Sequence, residues 1–205
     1  MAHQNRVTPR SEIIAHPGRG MLMGNRGILH DVEGRLGKRR WTSDLWIACA
    51  LAFKGRHREV MAPRTYTELF FLDEAVALAA GHRPCAECRR ADYNRFRAAW
   101  AAAGLGHSAK APAIDACLHA ARLTDPPRRQ RLHQAPIASL PDGAFITLDG
   151  QDHLVIGPAL YPYAPGGYGP PRPRPAQLEV TVLTPAPLVA VLAAGYQPLI
   201  HPSAA

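Results

Sequence analysis

The chain has 205 residues, enough for one domain or two small ones, and its hydrophobic share of 47% is enough for a buried core. No run approaches the ~20 apolar residues of a membrane span, and the first residues lack the apolar stretch of a secretory leader, so a cytoplasmic location is expected. The net charge of +8 is uneven: residues 1–136 carry 22 Lys and Arg against 12 Asp and Glu, whereas residues 137–205 carry 2 against 4.

That asymmetry predicts a polyanionic partner for the first segment, nucleic acid with DNA ahead of RNA, and a different task for the second. The plainer alternative is that the arginines only keep the protein in solution. Residues 1–27 read as irregular, punctuated by Pro9, Pro17 and several glycines. The apolar stretch 41–53, WTSDLWIACALAF, fits a strand or a short helix, because periodicity alone does not separate the two.

Residues 72–81, LDEAVALAAG, predict a helix, with Asp73 and Glu74 in its first turn and Gly81 as its stop. Pro84 prevents simple continuation, and a second helix is expected from near Cys88 to Ala103, burying Tyr93, Phe96 and Trp100. A third, over residues 112–123, opens on Pro112 and presents Ile114, Cys117, Leu118 and Ala121 as its apolar face. Asp115, His119 and Arg122 fall on its other side. A linker follows, and then Asp149-Gly150, between alternating segments, signals a hairpin over residues 145–157. A Pro/Gly-rich loop is expected at 158–176, a strand at 178–184 and a short helix at 187–195. Tyr161, Tyr163 and Tyr168 either line a ligand surface or anchor that loop on the sheet.

Four cysteines are too few for a disulfide scaffold in a chain of this length, so the close pair Cys85 and Cys88 points to metal or redox chemistry. A Cys-x-x-Cys turn delivers two sulfurs at the separation that tetrahedral zinc requires. Arg83, Arg89 and Arg90 beside it favour thiolate. A redox pair normally opens a helix directly after a strand, whereas here a helix and a glycine turn come first. Two inert core cysteines are the third possibility.

The string LDEAVALAAGHRPCAECRR resembles part of the Ada-type metal-binding domain of bacterial alkylation-repair and nuclease-associated proteins. The similarity is close over residues 72–90 and extends over 41–90 at most. It implies a zinc site with Cys85, Cys88 and, upstream, Cys49 as ligands. A second upstream ligand would fall at Leu45 or Phe53, where neither residue binds metal, so His57, Cys117 or His119 is left to complete the set. In that family a zinc-bound thiolate accepts a methyl group from DNA phosphate. The departure at the upstream pair withholds that activity here.

The phosphate-binding candidates are Lys38, Arg39, Arg40, Arg56, Arg58, Arg83, Arg89 and Arg90, with Trp41, Trp46 and Tyr66 interleaved as possible stacking platforms. An alternative reading is a metal-dependent nuclease or phosphodiesterase acting through His57, Glu59, Asp115 and His119. Another is a protein-interaction module with purely structural zinc. The architecture expected is α+β: an Ada-like zinc-binding helical module over residues 1–136, then a small β-rich lobe with one C-terminal helix over 137–205.

Overall fold

A computed structural model describes residues 2–56, 59–106, 109–124 and 129–204. Strands dominate it, and the helical module expected over residues 1–136 is not what forms. Six strands from residues 4–84 instead build one sheet, in the order β2-β1-β5-β3-β4-β6. They are β1 (Gln4–Val7), β2 (Ile13–Ala15), β3 (Leu22–Asn25), β4 (Ile47–Ala50), β5 (Leu69–Phe71) and β6 (Arg83–Pro84). The stretch expected to be irregular therefore supplies three strands, and the 41–53 segment resolves as a strand. The cause is non-local pairing. Each strand is two to four residues long, too short to show alternation, and two of the pairings, β1 with β5 and β4 with β6, are parallel and bridge distant segments.

The helices α1 (Glu74–Ala79), α2 (Arg90–Ala102) and α3 (Ala111–Arg122) follow their predicted positions closely. Asp73 caps α1 by accepting from the Val76 amide at 2.9 Å, and Gly81, at φ +85°, turns the chain out of it. All residues of α1 are buried, because the helix lies against strands of both sheets.

The second sheet comprises β7 (His133–Pro136), β8 (Phe145–Leu148), β9 (Gln151–Ile156), β10 (Ala159–Ala164), β11 (Gly167–Tyr168), β12 (Arg172–Pro173) and β13 (Glu179–Val182). Asp149 and Gly150, at φ +53° and +76°, make the tight β8–β9 turn that the sequence announces. The expected loop 158–176 holds β10, β11 and β12. Its tyrosines are anchors: Tyr168 donates from its hydroxyl to Asp73 Oδ2 at 2.7 Å, and Tyr163 sits edge-on to Phe145. The helix α4 (Ala186–Ala193) packs on α2 and α3.

Two hydrophobic clusters fill the interior. One gathers Leu22, Leu69, Phe71, Val76, Phe145, Leu154 and Leu183; the other gathers Phe96, Trp100, Ile114, Leu118, Ile146, Val182 and Leu188. Each draws residues from both sides of residue 136, and Arg10 pairs with Asp152 at 2.8 Å across the two segments. No described helix is long and apolar enough to cross a membrane.

Candidate metal centre

The site is built by the edge of the first sheet. On β4, Ala48 turns into the core while Ile47 and Cys49 face outward, the ordinary alternation of a strand. The parallel partner β6 places Pro84 beside Ala48, and the Cys85 amide continues the ladder by donating to the Ala48 carbonyl at 2.9 Å. Cys85 thereby arrives next to Cys49. The turn after it brings Cys88 back, so that the Ala50 amide donates to Cys88 Sγ and the Glu87 amide to Cys85 Sγ, each at 3.4 Å.

The three sulfurs lie within 4.8 Å of one another. Zinc–sulfur bonds of ~2.3 Å at the tetrahedral angle hold sulfurs about 3.8 Å apart, so shifts of about 1 Å close the set on an ion. The chemistry of the donors fits as well, since three thiolates select soft or borderline metals such as zinc. Among the described residues these cysteines are the one group of three or more His, Cys, Asp and Glu able to hold a metal.

The triad is electrostatically unequal. Cys85 is pulled down to about 5, first by the hydrogen bond from the Cys49 thiol and then by the Cys88 and Glu87 amides, against the opposing effect of its own burial. Cys49 is pushed up, chiefly because its proton is held in that bond to Cys85, and burial adds to this. Burial also raises Cys88. One thiolate therefore forms first, and a cation bound by the three sulfurs would draw the other two protons off.

The sulfurs form one wall of a cleft of about 700 Å³ whose other lining includes Met23, Phe53, Tyr66, Glu68 and Phe70. Met23 stands opposite Cys49 in the β3–β4 pairing. Arg56 reaches over the mouth to Glu87 Oε1 at 2.9 Å, both side chains remaining largely in solvent. These apolar lining residues carry no sequence signal, because nothing local links positions 23, 53 and 70 to a cysteine turn.

The other candidate residues scatter. His57 and Arg58 lie outside the described residues. Cys117 points outward from α3, not toward its core as the helical pattern predicts, and stands apart from the triad. Asp115 takes the inward place instead, because a buried fork from Arg83 meets both its oxygens at 2.7 Å. His119 does not join Asp115: its Nε2 lies 3.3 Å from Asp44 and its Nδ1 2.9 Å from an Arg122 nitrogen. Among the described residues no group of three or more metal-binding side chains includes either of them. Glu59 is exposed.

The basic residues divide in the same way. Lys38, Arg39, Arg40, Arg56 and Arg90 are exposed, and Arg90 opens α2 beside Cys88. Arg83 and Arg89, expected to face phosphates, are buried in ion pairs. Arg89 meets Glu74 at 2.8 Å and Asp92 at 2.7 Å, and these partners account for its charge. Trp46, a candidate stacking platform, is buried beneath Arg26 and Arg122, whose guanidinium carbons lie 3.9 and 4.0 Å from its ring centre. Trp41 remains half-buried at the surface.

Comparison of the chain with known protein families, with characterised proteins and with solved structures finds no match.

Proposed function

We propose that the chain is a zinc protein that binds nucleic acid, DNA ahead of RNA, in repair or processing, with Cys49, Cys85 and Cys88 holding the ion. The observation that carries this is the convergence of three sulfurs within 4.8 Å from segments far apart in sequence, on the wall of an open cleft. The likeness of residues 72–90 to the Ada-type domain supports the choice of zinc. The net charge of +8 and the exposed Lys38, Arg39, Arg40 and Arg90 support a phosphate-rich partner. A fourth ligand or a water molecule would complete the coordination; His57, the candidate from the sequence, lies outside the described residues.

A second reading has its own support. Three protein ligands and a vertex open to a cleft are the arrangement of catalytic zinc, whereas structural sites normally close with four. A nuclease on this chain would work at the sulfur cleft, because Asp115 is spent on Arg83. An interaction module with structural zinc is the third reading.

Mass-spectrometric metal content of wild type, Cys85→Ser and Cys117→Ser is the test. One zinc per chain in wild type and in Cys117→Ser, lost from Cys85→Ser, is expected. Zinc absent from wild type, or retained in Cys85→Ser, removes the metal centre. With zinc established, DNA affinity that falls steeply with salt supports the binding reading, metal-dependent nicking supports the enzyme, and neither at low salt leaves the interaction module.

A further inference from the structure

A second concavity, of about 880 Å³, shares no lining residue with the sulfur cleft. It lies between β2, the Arg40–Trp41 corner and residues 129–132. Four arginines line it, namely Arg10, Arg26, Arg40 and Arg129, against the single carboxylate of Glu12. Arg10 is committed to Asp152, while Arg40 and Arg129 are exposed at the rim and form no ion pair among the described residues.

Arg26 sets the pocket apart. It is 1% exposed, yet no carboxylate pairs with it among the described residues. Its Nε donates to His82 Nε2 at 3.3 Å and its Nη1 to the Ser11 carbonyl at 3.1 Å, while its Nη2 has no hydrogen-bond partner among the described residues. Its flat face rests on Trp46, which also carries Arg122, so a second cation stands nearby in place of an anion. His82, kept neutral by burial and by these arginines, offers no compensating charge. Buried guanidinium groups are ordinarily paired, as Arg83 and Arg89 are in this same protein. Solvation alone would favour an apolar side chain at position 26.

We infer that this pocket is a phosphate-binding site, in which Arg26 at the base and Arg40 and Arg129 at the rim hold the oxygens of a phosphate carried by a nucleotide. Guanidinium forks suit the planar pairs of acceptors that a phosphate presents, and charge-assisted bonds to a dianion repay the burial of Arg26. Trp41, half-buried on the pocket wall, supplies an aromatic surface for the attached base. The same chemistry comes from two sources, a free mononucleotide or the terminal phosphate of a strand. The site stands independently of the metal centre.

The test is calorimetric titration and thermal denaturation of the whole chain with inorganic phosphate, AMP, and a short single-stranded DNA bearing or lacking a 5′-phosphate. Wild type, Arg26→Met and Arg129→Ala are compared. Phosphate and AMP are expected to raise the melting temperature of wild type. Arg129→Ala, exposed and neutral for folding, should weaken AMP about tenfold, the worth of one charge-assisted hydrogen bond. Arg26→Met should fold with an unchanged or higher melting temperature and lose the response to phosphate. Should Arg26→Met fail to fold, Arg129→Ala and Arg40→Ala carry the test. Preference for AMP identifies a free nucleotide as the source, and preference for the 5′-phosphorylated strand identifies a strand end. No response of wild type to any of the probes, or a response equal in all variants, overturns the site.

Discussion

Helix α1 and strand β4 both bury ionisable groups, and they treat them in opposite ways. Around α1 the two buried carboxylates are fully hydrogen-bonded. Asp73 accepts from the Val76 amide, the Tyr168 hydroxyl and the His201 amide; Glu74 accepts from Tyr196, the Leu199 amide and Arg89. Around β4 the account stays open. Trp46, just before the strand, carries two guanidinium groups with no carboxylate hydrogen-bonded to either among the described residues, and Cys49 within it faces two further thiols. A low-dielectric interior makes unmatched polar groups costly. The seam at α1 holds the two sheets together; the strip along β4 adjoins both the proposed metal centre and the proposed phosphate site.

The largest predicted effect would break this contrast if it failed. Arg89→Met leaves Glu74 buried without its cation and should cost about 3–5 kcal/mol in chemical denaturation, whereas Arg26→Met, which removes an even more buried arginine, should cost nothing. Equal losses in the two variants would erase the distinction between the regions. Next comes the dependence of metal binding on pH. Cys49 and Cys88 are raised and hold their protons near neutrality, whereas Cys85, lowered to about 5, is already ionised. Between about pH 5 and 8 metal binding should therefore release about two protons per ion, so affinity falls about a hundredfold for each unit of acidification. Calorimetry in buffers of different ionisation enthalpy measures the proton count, and a count near zero would mean that the sulfurs are not the ligands. The smallest effect sharpens the picture at Trp46. A Cβ at Gly81, already at φ +85°, would meet Arg122 Cδ at 2.8 Å, so Gly81→Ala should lose about 2 kcal/mol and disturb Trp46 fluorescence. An unchanged emission spectrum would show that Arg122 yields without leaving the indole.

What could be read from the sequence follows the range of the signal. The helices α1, α2 and α3 and the Asp149-Gly150 turn are encoded within a dozen residues each, by caps, apolar spacing and turn chemistry, and they stand where expected. The first sheet is encoded by pairings such as Arg6 with Phe70 and Ile47 with Arg83, which no local window contains. The same limit governs the site. Cys85 and Cys88 stand out by spacing, and Cys49 follows as their upstream companion, but the cleft around them depends on positions scattered from 23 to 70. Arg83 and Arg89 look like phosphate ligands in sequence because charge is visible there and its partner is not; Asp115 and Glu74 become their partners only once the chain has folded. Arg26 escaped notice for the converse reason, since it lies in a stretch without helical or strand periodicity.

The acid pair at α1 also sets a timetable for synthesis. Glu74 finds Tyr196 and Leu199 only 122 and 125 residues later in the chain. At translation speeds of 5–20 residues per second, α1 leaves the ribosome between roughly 6 and 25 s before the segment that satisfies it. For that interval the nascent chain carries a largely apolar segment without its packing partners, with two carboxylates still in water. Completion of the fold is thus tied to the arrival of residues 196–203, and a nascent chain stalled before them would be a natural client for holding chaperones.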